Sequence, residues 1–317
     1  MNRAFAATLL AGILAGCSAA ASPAATSPQP STATSAPAPA MSAKPATKPG
    51  VQTVTYCTDD GKPQAMDISL PTPRPSTPAP AAIYVHGGGW EHGDRRGGAY
   101  LDSVRTQLIA KGFVVASIDY RLAPENKWPA QIVDAKCAVR YLRANAKSYG
   151  IDSARIGAWG GSAGGHLVSL MGTADASAGF DVGEWSSESS RVAAVVDLFG
   201  PADLTAGTWG DHATQVITEV FGGAPGTITD MLAKASPVTW ISRDDPPFLI
   251  LQGDHDDTVP AAQSQEFATK LQAAGVPATL VLVKDGPHGL ANPKEQPSPD
   301  QLTATIVDFF VRTLAAR

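Results

Sequence analysis

Short, continuously apolar runs alternate with helical patterns along most of residues 51–317. Eight of these runs have the length of β-strands: 51–56, 66–70, 81–86, 113–118, 155–159, 192–199, 247–252 and 278–283. The first two alternate apolar and polar residues, as half-exposed strands do, and the later ones are mostly apolar throughout, as strands covered on both faces are. This alternation predicts an α/β fold, a mostly parallel eight-stranded sheet with helices on both faces.

The spacing of apolar residues predicts a helix over 130–148, and further helices are expected at 261–274 and 300–314.

Two segments interrupt the alternation of strands and helices. Residues 174–190 and 203–236 fit neither pattern. Long insertions in α/β domains often cover a binding site, so each is either a small lid-like insertion or a surface loop packed on its own aromatic side chains. The length of 51–317 is that of one α/β domain.

The beginning of the chain has a different character. Residues 1–16 contain one early cation and an apolar stretch too short to span a bilayer, which predicts a signal peptide. Its end, LAGC, resembles a bacterial lipobox, so we expect lipidation of Cys17. By resemblance to Gram-negative lipoproteins, Ser18 in place of an aspartate implies the outer membrane rather than the inner membrane. An ordinary cleaved signal with an incidental cysteine is the alternative.

Residues 17–50 consist almost entirely of Ala, Pro, Ser and Thr, and such a linker cannot bury enough apolar surface to fold. The first 50 residues hold only three charged side chains, all basic, so the rest of the chain carries 21 basic and 29 acidic residues, a net charge of −8. A nucleic-acid-binding surface is basic, so that class of partner is disfavoured. Membrane contact is expected through the lipid anchor only, and the oligomeric state is left open.

Two cysteines remain in the predicted domain, Cys57 and Cys137. Cys137 falls within the predicted helix at 130–148, where a buried free thiol is the expected state. A disulfide between the two is the alternative in an exported protein. No CxxC or His-rich spacing indicates a metal site.

The stretch GGSAG at 160–164 lies between a predicted strand and a helix-like run, which is the context that gives the pattern G-x-S-x-G its meaning. A sharp strand-to-helix turn holds its serine in a strained conformation, and flanking glycines remove collisions. Ser162 is therefore the candidate nucleophile. The amide of Ala163 begins a helix, where N–H groups lack intrahelical partners, so it can bind a developing oxyanion. A glycine-rich phosphate-binding helix terminus is the alternative.

A serine hydroxyl needs a base, and the base needs a carboxylate. Of six histidines, His288 follows the last predicted strand and should lie at the same sheet edge as Ser162, whereas His166 is expected to face sideways. Asp254, Asp256 and Asp257 follow the strand at 247–252, and spacing alone does not choose among them. The order Ser, Asp, His is that of α/β-hydrolases.

An oxyanion site needs at least two N–H donors. The segment HGGGW at 86–90 leaves an apolar strand through three glycines, whose amides can approach a ligand closely. A plain glycine loop is the alternative.

These motifs together resemble α/β-hydrolase carboxylesterases of the bacterial feruloyl-esterase-like (BD-FAE-like) and acetyl-esterase-like branch, near the hormone-sensitive-lipase group. The matching segments are HGGGW at 86–90, DYRLAPE at 119–125, GGSAGGHL at 160–167, GDHDDTVP at 253–260 and GPHG at 286–289. The chain departs from the hormone-sensitive-lipase pattern at Gly161, where that pattern has Asp.

The resemblance implies an α/β-hydrolase fold with Ser162 as nucleophile, His288 as base and no cofactor. It selects Asp256 as the acid because the family's acid stands just before x-x-Val-Pro. It implies oxyanion amides at Gly88, Gly89 and Ala163, with Gly87 a further candidate, and structural roles for Asp119 and Glu125.

The expected function is that of a serine carboxylesterase acting on esters of small acyl or aromatic acids through an acyl-enzyme. The same three side chains can cleave amides, so an amidase or peptidase is one alternative. A surface lipoprotein that uses the fold for binding without catalysis is the other.

Overall fold

A computed structural model describes residues 50–207 and 209–315. Eight strands form one sheet in the spatial order β1-β2-β4-β3-β5-β6-β7-β8. The strands are β1 (Val51–Asp59), β2 (Lys62–Ser69), β3 (Ala79–Val85), β4 (Val114–Ile118), β5 (Ile151–Gly161), β6 (Val195–Leu198), β7 (Phe248–Gly253) and β8 (Ala278–Val283). The predictions for the signal peptide, for Cys17 and for the linker up to residue 49 lie outside the described residues.

The sheet is antiparallel only at one side, where β2 pairs with β1 and with β4. All other neighbouring strands are parallel. The predicted fold class, a mostly parallel eight-stranded sheet of the α/β-hydrolase type, is confirmed.

Eight α-helices connect or flank the strands in the described part of the chain. They are α1 (Leu101–Ala110), α2 (Ala130–Ala144), α3 (Ala146–Tyr149), α4 (Ala163–Thr173), α5 (Asp211–Phe221), α6 (Thr229–Ala235), α7 (Ala261–Ala273) and α8 (Pro299–Leu314). The single helix predicted over 130–148 is two helices in the structure, separated at Asn145.

Two apolar cores lie on opposite faces of the sheet because consecutive side chains of a strand point to opposite faces. In β3, Ile83 and Val85 belong to the core formed with α2, α4 and α7. Ala82 and Tyr84 belong to the core formed with α1 and α8. Strands β3, β4, β6 and β7 are buried on both faces, and this is why their sequences are mostly apolar. The expectation that the strand at 278–283 is covered on both faces is wrong, because most of β8 is only partly buried and Leu282 is exposed.

The expectation of a free thiol at Cys137 is wrong, because Cys57 and Cys137 form a disulfide. Cys57 lies in the edge strand β1 and Cys137 in α2, and the two elements pack against each other. Their Cα atoms are 6.5 Å apart, although 80 residues separate them in the sequence. The contact depends on which helix covers β1, and local sequence patterns do not contain this information.

The insertion at 174–190 packs against β1 and α2. The indole N–H of Trp185 donates to the carbonyl of Tyr56 in β1 at 3.0 Å. Lys136 of α2 donates to the carboxylate of Asp181 at 2.9 Å, and Arg140 donates to the carbonyl of Glu184 at 3.0 Å. These bonds hold the segment against the edge of the domain. The insertion at 203–236 contains α5 and α6 and lies elsewhere, over the carboxyl edge of the parallel strands.

Candidate active site

Ser162 lies between the last residue of β5 and the first residue of α4. Its backbone has φ 55° and ψ −120°, a left-handed conformation that costs a non-glycine residue free energy. The glycines on either side allow α4 to approach β3: a Cβ on Gly160 would lie 2.6 Å from the carbonyl oxygen of Val85 and from the carbonyl carbon of Gly164. The strained turn is therefore possible because these positions have no side chains, and it leaves the Ser162 hydroxyl at the sheet edge.

His288 lies in the loop that follows β8, on the same edge of the sheet as Ser162. Its Nε2 is 2.9 Å from Oγ of Ser162, and its Nδ1 is 2.8 Å from Oδ2 of Asp256. Phe199 packs edge-on against the imidazole, with ring centroids 4.8 Å apart. The three predicted side chains thus form one hydrogen-bonded line.

The side chain of Asp256 is fully buried. Its Oδ1 accepts the backbone amides of Thr258 at 2.9 Å and Val259 at 2.8 Å, and its Oδ2 accepts the side-chain amide of Gln252 at 2.9 Å. Burial raises the pKa of this carboxyl. The hydrogen bond and charge of His288 and the two amides outweigh burial, so the pKa lies below its ordinary value. Asp256 is therefore held ionised.

The other two acidic candidates of the same turn do not reach the imidazole of His288. Asp254 and Asp257 are exposed, and Asp254 bonds the ring of His255 at 2.6 Å. The structure therefore brings Asp256 to His288 and leaves the other two carboxylates in solvent.

The oxyanion loop, residues 86–90, runs beside Ser162. Gly88 and Gly89 have φ 102° and 62°, values that favour glycine. Among the described residues, the amides of Gly88, Gly89 and Ala163 have no hydrogen-bond acceptor. All three residues line the same cavity as the Ser162 hydroxyl. Free amides beside a nucleophile are what an oxyanion site requires.

His86 fixes the start of the oxyanion loop. It is buried, its ring stacks on Tyr120 at 4.2 Å, and its Nδ1 is 2.7 Å from the carbonyl oxygen of Gly87. Because a carbonyl only accepts, Nδ1 carries the proton. Burial lowers the pKa of this histidine, in keeping with a neutral ring. A peptide unit is planar, so fixing the Gly87 carbonyl also fixes the direction of the Gly88 amide.

A cavity of about 1040 Å³ opens over Ser162 and His288. Its far wall comes from the insertion at 203–236 and is mostly apolar, with Leu204, Trp209, Ala213, Val216 and Ile217. The second insertion therefore covers the site, and the one at 174–190 does not line it. Of the tryptophans that could shape the cavity, Trp90 and Trp209 line it, whereas Trp128 and Trp185 do not.

Asp119 and Glu125 lie apart from the Ser162 hydroxyl. Asp119 accepts the backbone amide of Arg95 at 2.8 Å and pairs with its guanidinium at 2.5 Å, which ties the segment after the oxyanion loop to the end of β4. Glu125 is exposed.

Residues 50–207 and 209–315 contain no group of three or more His, Cys, Asp or Glu side chains arranged to hold a metal ion. Within those same residues, none of the helices is long and apolar enough to cross a membrane.

A mostly parallel sheet that carries a serine, an aspartate and a histidine in this order on its carboxyl-edge loops defines the α/β-hydrolase class. A family model described as BD-FAE matches residues 66–271, and the chain belongs to this family. The family resemblance drawn from the motifs is confirmed.

Relatives and solved structures agree with this assignment. The chain is 34% identical over 226 residues to esterase LipC of Mycobacterium tuberculosis. The matched region covers 68% of this chain and 53% of LipC. The chain spans about half the length of the curated relatives it matches. A truncated carbohydrate esterase from gut microbiota superposes with a TM-score of 0.68 and 30% identity, covering 84% of this chain and 97% of that one. An esterase of Thermogutta terrifontis superposes with a TM-score of 0.70 and 26% identity, covering 85% and 95%.

Proposed function

We propose that this protein is a serine carboxylesterase with Ser162 as nucleophile, His288 as base and Asp256 as the acid that orients the base. The observation that carries the proposal is the line of hydrogen bonds from Oγ of Ser162 through the imidazole to the buried carboxylate. Family members that are named esterases support the reaction class.

Each group has one task in the reaction. Oγ of Ser162 forms a bond to the ester carbonyl carbon while Nε2 of His288 takes the hydroxyl proton. The carbonyl electron pair moves to oxygen, where the amides of Gly88, Gly89 and Ala163 receive the charge. Collapse of this intermediate breaks the bond to the alcohol oxygen, and His288 returns the proton to the leaving alcohol. A water molecule, activated by the same base, then releases the acid from the acyl-enzyme.

The lining of the cavity supports the proposal that the substrate is an ester of a small acyl or aromatic acid. The cavity wall at 203–236 is mostly apolar, and Phe199 and Trp209 add aromatic surface. The similar esterase of Thermogutta terrifontis has been solved with propionate bound and with butyrate bound. Both observations favour esters whose acid is short or flat.

The test compares Ser162→Ala with Ser177→Ala, a matched substitution at an exposed surface position. Hydrolysis of p-nitrophenyl acetate and labelling by a fluorophosphonate probe should both be abolished in Ser162→Ala and unchanged in the control. Full activity of Ser162→Ala would refute the nucleophile. A panel of acetyl, butyryl, octanoyl and feruloyl esters, with a matched anilide, then defines the acid and separates an esterase from an amidase.

We also propose that the chain is a lipoprotein anchored through Cys17 to the cell envelope, in the outer membrane if the cell is Gram-negative. The sequence LAGC at 14–17 supports this lipid anchor and this location. Cys17→Ser should abolish incorporation of an alkyne-labelled fatty acid and release the protein from the membrane fraction, whereas Ser18→Ala should leave lipidation intact. Labelling that persists in Cys17→Ser contradicts the proposal.

A further inference from the structure

His166 lies one helical turn after Ser162 in α4 and is completely buried. Its Nδ1 is 3.2 Å from the indole nitrogen of Trp90, and its Nε2 is 2.8 Å from the carbonyl oxygen of Ala235. A carbonyl only accepts and an indole N–H only donates. The ring is therefore neutral, with the proton on Nε2 and the free electron pair of Nδ1 facing Trp90.

Trp90 ends the oxyanion loop in an unfavourable backbone conformation. Its φ is 60°, and it follows two glycines that also have positive φ. Its side chain is nearly buried, edge-on to His166 at 5.2 Å and to Phe221 at 5.9 Å. The backbone of these residues is held at two points, because the Gly88 carbonyl accepts the amides of Glu91 and His92 and the Trp90 carbonyl accepts the amide of Ala123 at 3.0 Å. The indole ring adds a side-chain anchor at this end of the loop.

We propose that His166 is a positioning residue for the oxyanion site: by accepting the Trp90 indole N–H it holds the oxyanion loop so that the amides of Gly88 and Gly89 face the reacting carbonyl. Its second bond, to Ala235 at the end of α6, joins the same loop to the insertion that covers the cavity. This inference deepens the proposed esterase function and rests on it.

The neutral tautomer explains why a histidine suits this position. It is the one ring that offers an acceptor on one side and a donor on the other while remaining uncharged. Burial lowers the pKa of His166 to about 4, so the required neutral form is present throughout the neutral range. An apolar side chain of similar size would fill the space but leave a buried indole N–H and a buried carbonyl without partners.

Two amide substitutions separate the two bonds of His166. In His166→Asn the side-chain oxygen lies near the former Nδ1 and can still accept from Trp90, but the side chain is too short to reach Ala235. In His166→Gln the amide lies near the former Nε2 and can still donate to Ala235, but it leaves the indole without an acceptor. The readouts are kcat and KM for p-nitrophenyl acetate, with circular dichroism and the melting temperature of each variant.

We expect His166→Asn to keep kcat within about threefold and His166→Gln to lower it about 10- to 100-fold with KM little changed, since complete loss of one oxyanion donor costs about 10²–10³ in kcat. Trp90→Phe removes the indole N–H from the other side and should lower kcat to a similar extent even if a His166 variant does not fold. The proposal is overturned if His166→Asn loses as much kcat as His166→Gln, or if Trp90→Phe keeps the wild-type kcat. Failure of the proposed esterase function would be recognised by a different result, which is full activity of Ser162→Ala.

Discussion

Oδ2 of Asp256 lies 2.8 Å from Nδ1 of His288, while Oδ1 of the same carboxylate is held by the amides of Thr258 and Val259. The carboxylate therefore cannot rotate away from the imidazole without losing buried hydrogen bonds. An acceptor fixed at Nδ1 keeps the proton on that nitrogen and the electron pair of Nε2 directed at Ser162. The acid thus sets which tautomer the base adopts.

Asp256→Asn should lower kcat by about 10³–10⁴, because an amide at this position favours the wrong tautomer of His288 and does not stabilise the imidazolium. The matched control is Asp257→Asn, at the adjacent exposed position of the same turn. Steady-state hydrolysis of p-nitrophenyl acetate measures both. Equal losses in the two variants would remove Asp256 from the catalytic group.

The parts of the site that follow from local chain geometry were predictable from the sequence. A serine flanked by glycines between a strand and a helix predicts a sharp strand-to-helix turn. Loops after parallel strands meet at one edge of the sheet, so the sequence predicts that Ser162 and His288 lie close together. The choice of Asp256 needed the family motif. Three carboxylates in one turn differ in which of them faces inward, and that depends on the backbone path of the turn.

Features that depend on packing between distant segments were not predictable. His166 bonds Trp90 and Ala235 rather than Ser162, in keeping with the sideways orientation that the sequence predicts, but the sequence gives no sign of which groups lie on either side of its ring. The disulfide between Cys57 and Cys137 is not predictable for the same reason, because no local pattern shows that α2 packs against β1. The sequence indicates that 203–236 is irregular, but its position over the cavity depends on how α5 and α6 pack.

Gly161→Ala should destabilise the protein by about 1–3 kcal/mol and lower kcat, because an added Cβ would lie 3.0 Å from the ring of Phe199 and 3.3 Å from Cβ of Ala99. Phe199 packs on His288, so its displacement reaches the base. Urea unfolding and kcat measure the two effects. The control is Gly226→Ala, where an added Cβ meets nothing within 4 Å, and a stability loss as large there would contradict the steric argument.

Replacing both Cys57 and Cys137 by Ala should lower the free energy of unfolding by about 2–5 kcal/mol, since the disulfide closes a long loop and staples the edge strand β1 to α2. Neither residue lines the cavity, so kcat at low temperature should be unchanged. Chemical unfolding under non-reducing conditions gives the stability change, and a thiol titration of the unfolded wild type checks the bond itself. Reaction of the thiols of both Cys57 and Cys137 in that titration would rule the disulfide out.

Trp209→Ala should shift acyl-chain preference towards longer acids, because Trp209 belongs to the wall that faces Ser162 and its removal deepens the cavity. We expect kcat/KM for an octanoyl ester relative to an acetyl ester to rise about tenfold, the effect of a few methylene contacts. Trp185→Ala, a tryptophan substitution outside the cavity, is the control. An unchanged ratio in Trp209→Ala would mean that this wall does not contact the acyl chain.

Asp197→Asn should change how stability depends on pH. Asp197 is buried in β6 and accepts the amide of Gly200 at 2.9 Å. Burial raises its pKa to about 7, with the Gly200 amide opposing part of the rise. Between the ordinary carboxyl pKa and pH 7 the folded state binds more protons than the unfolded state, so this group makes the wild type less stable as pH rises through that window and has no further effect above it.

The asparagine has no such titration and can still accept from Gly200. The free energy of unfolding of Asp197→Asn minus that of the wild type should therefore grow between pH 4.5 and 7.5, by up to about 4 kcal/mol, and then level off. Urea unfolding across this range measures the difference, with Asp308→Asn at an exposed position of α8 as the matched control substitution. A curve for Asp197→Asn that is parallel to the wild type would show that the Asp197 carboxyl titrates alike in the folded and unfolded chains.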